Sequence, residues 1–178
     1  MKKFFILFVS ALAAGCAFSP AEFGDAAELD VEFVQPTKWN GKTVPAQQIC
    51  RREGGRGSTP PLRVEGIPAG TNLLILEIGN IDVAALADAG QGSIGFYHNG
   101  ESSAVLMPVP GETFRLPSFA FEEKASKLYP AQPWPYMPPC HLKNHRYTAT
   151  VLAVKRTGSF DKQVTRVLGV GTIDLGRY

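Results

Sequence analysis

Tyr129-Pro-Ala-Gln-Pro-Trp-Pro-Tyr-Met-Pro-Pro-Cys-His-Leu-Lys-Asn-His-Arg-Tyr147 runs on into Thr148-Ala-Thr-Val-Leu-Ala-Val-Lys-Arg156. Pro130, Pro133, Pro135, Pro138 and Pro139 fix φ and remove amide donors, so this segment is neither helix nor inner strand. A loop stiffened in this way loses little entropy when a ligand arrives. The chain then becomes extended at His145-Arg146-Tyr147. Strand alternation sends His145 and Tyr147 to one face and Arg146 to the other. An imidazole and a phenol at a sheet rim can hold an anion. The plainer alternative is a strand-end histidine beside a solvated arginine.

The rest of the chain reads as strands. Leu29 to Val34 and Leu62 to Ile67 alternate apolar and polar residues, as half-buried strands do. Leu73 to Ile78 is nearly all apolar and is expected to be a central strand. Gly92 to Tyr97 and Ser103 to Val109 flank a hairpin turn at His98-Asn99-Gly100-Glu101. Shorter strands are expected at Val44 to Ile49, Thr113 to Leu116 and Ser118 to Phe121. Tyr147 to Val154, Gln163 to Val170 and Gly171 to Leu175 complete the set. Val83 to Ala89 is the one helical turn expected. The fold class is therefore all-β, a sandwich of two packed antiparallel sheets with few short helices.

Met1-Lys2-Lys3 and the apolar run Phe4 to Ala14 fit a secretory signal too short to span a bilayer as a mature helix. Ala13-Ala14-Gly15-Cys16 resembles a bacterial lipoprotein cleavage site. Residues 1–15 are then the signal peptide, and Cys16 is the lipidated residue. Acyl chains contribute about 0.8 kcal/mol per buried methylene to membrane binding. Ordinary cleavage nearby, with Cys16 incidental, is the alternative. Ala17 after the cysteine points to the outer membrane, facing the periplasm. Residues 16–28 form the lipidated terminus and a tether, and residues 29–178 form one domain. The whole chain carries 18 basic and 16 acidic side chains, and loss of Lys2 and Lys3 balances the two signs. Nucleic acid is excluded as a general partner, because phosphate-backbone binding needs surplus Lys and Arg.

Cys50 and Cys140 remain as an even pair in an oxidising compartment. A bridge between them closes a loop of roughly 90 residues and contributes about 4 kcal/mol in the chain-entropy model. Cys140, His141 and His145 lack the spacing of a zinc site, so no metal is expected. The loop Arg51 to Pro61 has three glycines, but no Gly-Lys-Ser/Thr closes it and no helix pattern follows. It is not a nucleotide loop, and Arg51, Arg52 and Arg56 read as solvated charges.

Three stretches together resemble the phosphatidylethanolamine-binding protein family, which includes the Raf kinase inhibitor protein. Gly57-Ser-Thr59-Pro60-Pro61-Leu62, continuing to Pro68-Ala-Gly-Thr71, is similar to the family's Ser-Pro-x-Leu-x-Trp-x-Gly-x-Pro pattern. Leu73 to Gly79 leads into Asn80-Ile81-Asp82, where the family has Asp-Pro-Asp. Pro138-Pro139 followed by His145-Arg146-Tyr147 is the third. The resemblance implies a β-sheet core and a small pocket for phosphate-bearing groups such as phospholipid heads. Here it would use Asp82, His145 and Tyr147, walled by Pro138 and Pro139, with Asn80 replacing the first aspartate. A second family histidine opens the next strand. Gln91 begins the comparable strand here, and His98 lies further along it, so both are candidates.

The expected function is a membrane-anchored module that binds a small anion or phospholipid head group. The alternative is a protein-interaction module, akin to relatives that inhibit proteases or kinases, using Trp134 and Tyr136 as aromatic anchors. No Gly-x-Ser-x-Gly elbow or nucleophile–base pair is present, so no enzyme activity is expected. No cofactor is implied.

Overall fold

The computed structural model of the chain describes residues 24–141, 144–159 and 162–178. The expected signal peptide, Cys16 and the tether up to residue 23 lie outside the described residues. Nine strands form among the described residues: β1 (Ala27–Glu28), β2 (Asp30–Phe33), β3 (Leu62–Glu65), β4 (Leu73–Asn80), β5 (Gly92–Tyr97), β6 (Ser103–Leu106), β7 (Ala120–Lys124), β8 (Arg146–Thr157) and β9 (Val164–Arg177). One helical turn, α1 (Ala84–Ala87), follows β4. Ala27–Glu28 already pairs with Gly169–Val170 of β9, in parallel, so sheet structure begins before the expected domain boundary.

The strands make two sheets. Six form the order β1-β9-β8-β4-β5-β7, and three form β2-β3-β6. The all-β, two-sheet expectation holds. Every pairing apart from β1 with β9 is antiparallel.

Alternation explains the small sheet. In β3, Leu62 and Val64 are buried while Arg63 and Glu65 are exposed. The two apolar residues meet Leu74, Leu76 and Ile78 of β4, with Ile94, Ala149 and Val151, in the main core. Each such side chain contributes about 1.5–3 kcal/mol by leaving water. The other face of β4 is covered too: Leu73 and Ile75 join Leu152 and Val154 in a second cluster, against Phe121, Val167 and Val170. Burial on both faces is why β4 is an unbroken apolar run instead of an alternating one.

Four sequence expectations are corrected. Gly92–Tyr97 and Ser103–Leu106 are not the two arms of a hairpin: β5 pairs with β4 and β7 in the large sheet, β6 pairs with β3 in the small one, and His98 to Ser102 crosses between the sheets. Val44 to Ile49 is not a strand. Thr43 makes one isolated bridge to Arg177, and Ala46–Gln48 is a 3-10 turn entered from Pro45, whose missing amide cannot serve a ladder. Thr113 to Leu116 is a loop held by the Arg115 amide on the Thr113 hydroxyl, and Pro117 delays the next strand to Ala120. The two strands expected at the end are one, β9. Gly171 lets it continue, because a Cβ there would strike the Leu29 carbonyl.

The expected disulfide is formed. Cys50 and Cys140 are bridged with Cα atoms 5.3 Å apart. Both are buried, packed with Met137 against Leu128, Tyr129 and Trp134. The bridge ties the loop after Ile49 to the proline segment, and the Cys50 amide donates to the Pro139 carbonyl at 3.0 Å beside it.

Candidate functional site

Adjacent strands bring polar side chains to one end of the large sheet. Asn80 closes β4 directly opposite Tyr147 near the start of β8. Gln91 precedes β5, and its amide donates to the Ile78 carbonyl, two residues before Asn80. The Met137 amide in turn donates to the Gln91 carbonyl at 2.8 Å, which brings Pro138 and Pro139 alongside. Gly92 permits this approach. Its φ is +109°, and it bridges Tyr136 where any Cβ would strike the Pro135 carbonyl.

Asn80 sets the state of His145. The Asp82 amide donates to Asn80 Oδ1 at 3.2 Å, which fixes the side-chain amide orientation. Asn80 Nδ2 then faces His145 Nδ1 at 3.1 Å. An amide nitrogen only donates, so Nδ1 must accept and the ring proton sits on Nε2. His145 is therefore a neutral donor with Nε2–H available.

Asp82 takes a different post. Its Oδ2 accepts the Arg146 amide at 2.9 Å and lies 3.2 Å from Arg177 Nη1. It caps the start of β8 at the exposed rim, and the side chain that touches His145 is Asn80. Arg146 points away to Asp174, its Nε donating at 2.6 Å. The expected alternation therefore holds: Arg146 is exposed and Tyr147 fully buried.

Several buried side chains at this end, the Tyr136 and Ser93 hydroxyls among them, have polar atoms with no partner among the described residues. The Gln91 amide has neither nitrogen nor oxygen bonded, and the Tyr147 hydroxyl is also unpaired. Burial pushes the Tyr147 phenol up to about 12. The neighbouring Cys140 backbone works against this rise, although it does not reach hydrogen-bond geometry. Orphaned buried groups cost about 1–3 kcal/mol each unless water or a ligand serves them. Tyr136, fully buried nearby, is pushed up further by desolvation and by Tyr147.

Of the residues read from the sequence, Asn80, Asp82, Gln91, Pro138, Pro139, His145 and Tyr147 gather at this end. His98 does not. It lies past the opposite end of β5, its amide on the Asn72 carbonyl and its Nε2 2.8 Å from the Glu101 carbonyl. Six strand residues separate it from Gln91, so it is a turn residue and no part of this cluster.

The sequence reading missed Tyr178, Glu53 and His141. Tyr178 and His145 exchange backbone hydrogen bonds at 3.0 and 3.1 Å. The Tyr178 hydroxyl donates to Glu53 Oε2 at 3.4 Å, and Glu53 Oε1 lies 2.8 Å from His141 Nδ1. Only the adjacency of His141 to Cys140 could have signalled this, since Glu53 and Tyr178 are remote in sequence.

The two-sheet arrangement and the cluster at the strand ends define a fold of the phosphatidylethanolamine-binding protein type. A crystal structure described as a phosphatidylethanolamine-binding protein homologue from Chlamydia trachomatis superposes with a TM-score of 0.53. The match covers 86% of this chain and 98% of that one, at 19% sequence identity. No family model and no curated protein matches the sequence.

Proposed function

We propose that the protein is a binding module for a small anion or a phospholipid head group, held at the Asn80–His145–Tyr147 end of the large sheet. What carries the reading is the set of unserved donors there: His145 Nε2–H, fixed by Asn80, and the buried Gln91 amide and Tyr147 hydroxyl. Phosphoryl oxygens are acceptors that such donors satisfy. The reading is one of binding without turnover. The test is titration of inorganic phosphate and of phosphoethanolamine, followed by histidine side-chain NMR. A saturable shift at His145, lost in His145→Ala, supports it. Stronger binding of phosphoethanolamine identifies the head group as the ligand, and equal binding identifies phosphate alone. Flat titrations of folded protein refute it.

We propose from the sequence that Cys16 carries the lipid that holds this module on the periplasmic face of the outer membrane. Labelled fatty acid should enter the wild-type chain and not Cys16→Ser.

A second reading, a protein-interaction module, is favoured by the proline segment. Phe114, 59% exposed, lies against Trp134 with ring centroids 4.5 Å apart. Trp134, Tyr129, Met137 and Arg52 line a groove of about 370 Å³. Retention of every co-purifying protein by Trp134→Ala would count against it.

A further inference from the structure

We infer that one face of the β8–β9 hairpin, the face carrying Lys155, Val164 and Arg166, is a docking surface for an anionic phospholipid bilayer, and that docking there turns the anion site away from that bilayer. The inference takes up the Cys16 attachment proposed above and does not depend on what the anion site binds.

The register sorts the hairpin's side chains by face. Lys155 lies directly opposite Arg166, and Thr157 directly opposite Val164. Pairs two residues apart along a strand share a face, so these four side chains stand together. Arg156 and Thr165, between them, point the other way. Arg156 Nε donates to the Thr165 hydroxyl at 3.0 Å, and the guanidinium holds both carboxylate oxygens of Glu123 on β7. That clamp fixes the hairpin against the sheet. The Lys155 face has no such partner. Lys155 and Arg166 are exposed, and neither forms a salt bridge among the described residues. Val164 beside them is 64% exposed. Like charges directly opposite on a ladder repel, so the bare face carries a pair that lowers stability. An anionic surface turns that repulsion into attraction.

Chain direction says which surface. β1 runs parallel to β9, with Ala27 beside Gly169. The chain therefore enters β1 from the Val164 end of β9, the end that carries the hairpin. A lipid on Cys16 would bring that same end to the head groups. Asn80, Tyr147 and Gly176 lie at the other end of these strands, about 40 Å away by the rise of the residues in β9. Two surface cations favour contact with anionic heads about thirtyfold, an effect that salt weakens. Phosphatidylglycerol offers an unbalanced phosphate, whereas phosphatidylcholine carries its own cation. A modest preference is enough for an attached chain, because the lipid makes the contact intramolecular.

The test incorporates the protein, isolated from bacterial membranes, into vesicles of phosphatidylcholine alone or mixed with phosphatidylglycerol. Amine acylation is then read at each lysine by mass spectrometry. Lys155 is expected to react about tenfold more slowly in the anionic vesicles. Lys42, exposed and tied by its carbonyl to the Arg177 amide at the site end, should react equally in both. Arg166→Gln removes one charge of the pair. It should return about fivefold of the lost Lys155 reactivity and leave the urea midpoint unchanged or higher, which a merely structural arginine would not do. Equal Lys155 reactivity in the two vesicles overturns the inference, as does shielding of Lys42 in its place. Shielding of Lys155 that grows with protein density in phosphatidylcholine alone would assign the face to a second copy of the chain and also overturn it. The same spectra show whether Cys16 is acylated. An unmodified chain refutes the anchor, and its flotation with anionic vesicles alone would still support the hairpin. An unmodified chain that floats with neither vesicle overturns both.

Discussion

Asn80 donates its amide hydrogen to His145 Nδ1 across 3.1 Å, with its own oxygen occupied by the Asp82 amide. An aspartate at this position could only accept, so it would call for a proton on Nδ1 and favour the imidazolium. The exchange that distinguishes this chain from the resembled motif is therefore a reversal of hydrogen-bond direction, beyond the loss of a charge.

Asn80→Asp should accordingly move the His145 Nδ1 signal from the pyridine-type to the pyrrole-type ¹⁵N range. Asn80 is fully buried, so the variant should also lose about 1–3 kcal/mol in urea denaturation. An unmoved Nδ1 signal would show that Asn80 does not set the tautomer.

Tyr147→Phe removes a buried hydroxyl that has no partner among the described residues. Deleting such a group should leave stability unchanged or raise it by up to about 1 kcal/mol. Phosphate affinity should fall about tenfold for the lost donor. Undiminished affinity would remove Tyr147 from the ligand site.

Stability should decline above pH 10. Burial raises the Tyr147 phenol to about 12 and pushes Tyr136 up as well. Between the unfolded value near 10 and the folded values, the unfolded chain has lost protons that the folded chain keeps. Unfolding is then favoured as pH rises, by roughly 1.4 kcal/mol per pH unit for each tyrosine. The contribution is complete below pH 10. Chemical denaturation at pH 9, 10 and 11 should show this slope, and Tyr136→Phe should flatten it. A flat wild-type profile would mean that neither phenol is shielded.

The Cys50–Cys140 bridge closes 90 residues of separation. Replacing both cysteines by alanine should lower the unfolding free energy by about 4 kcal/mol. Phosphate binding should weaken too, since the bridge fixes Cys140 between the proline wall and His141. Full affinity in the double variant would separate the bridge from the site.

The large sheet was legible because its chemistry is periodic. Gly92 to Tyr97 forms a strand with the expected limits, and the apolar run from Leu73 could be satisfied only between two covered faces. Val44 to Ile49 misled because apolar content records burial, not conformation: Val44 and Ile49 are buried but the chain between them turns. Phe114 misled for a related reason, its ring being matched to Trp134 in space and not to a strand partner. Within the candidate site, motif spacing reached Asn80, His145 and Tyr147. It wavered between Gln91 and His98, and only the sheet register separates them. Glu53 and Tyr178 were invisible because their relation to His145 runs through contacts between distant segments, which leave no local pattern.

That spread has a consequence in time. Glu53, Asn80, His145 and Tyr178 come from four separated segments, and the long strand Val164–Arg177 delivers the last of them. Contacts so far apart in sequence form late, after the entropy of closing large loops has been overcome. A chain halted before Val164 could build β4 and β5 and pair β4 with β8, yet would leave His145 without the Tyr178 backbone that holds its other side. Any ligand recognised here thus reports on a finished molecule, and affinity for it can serve as an assay of complete folding.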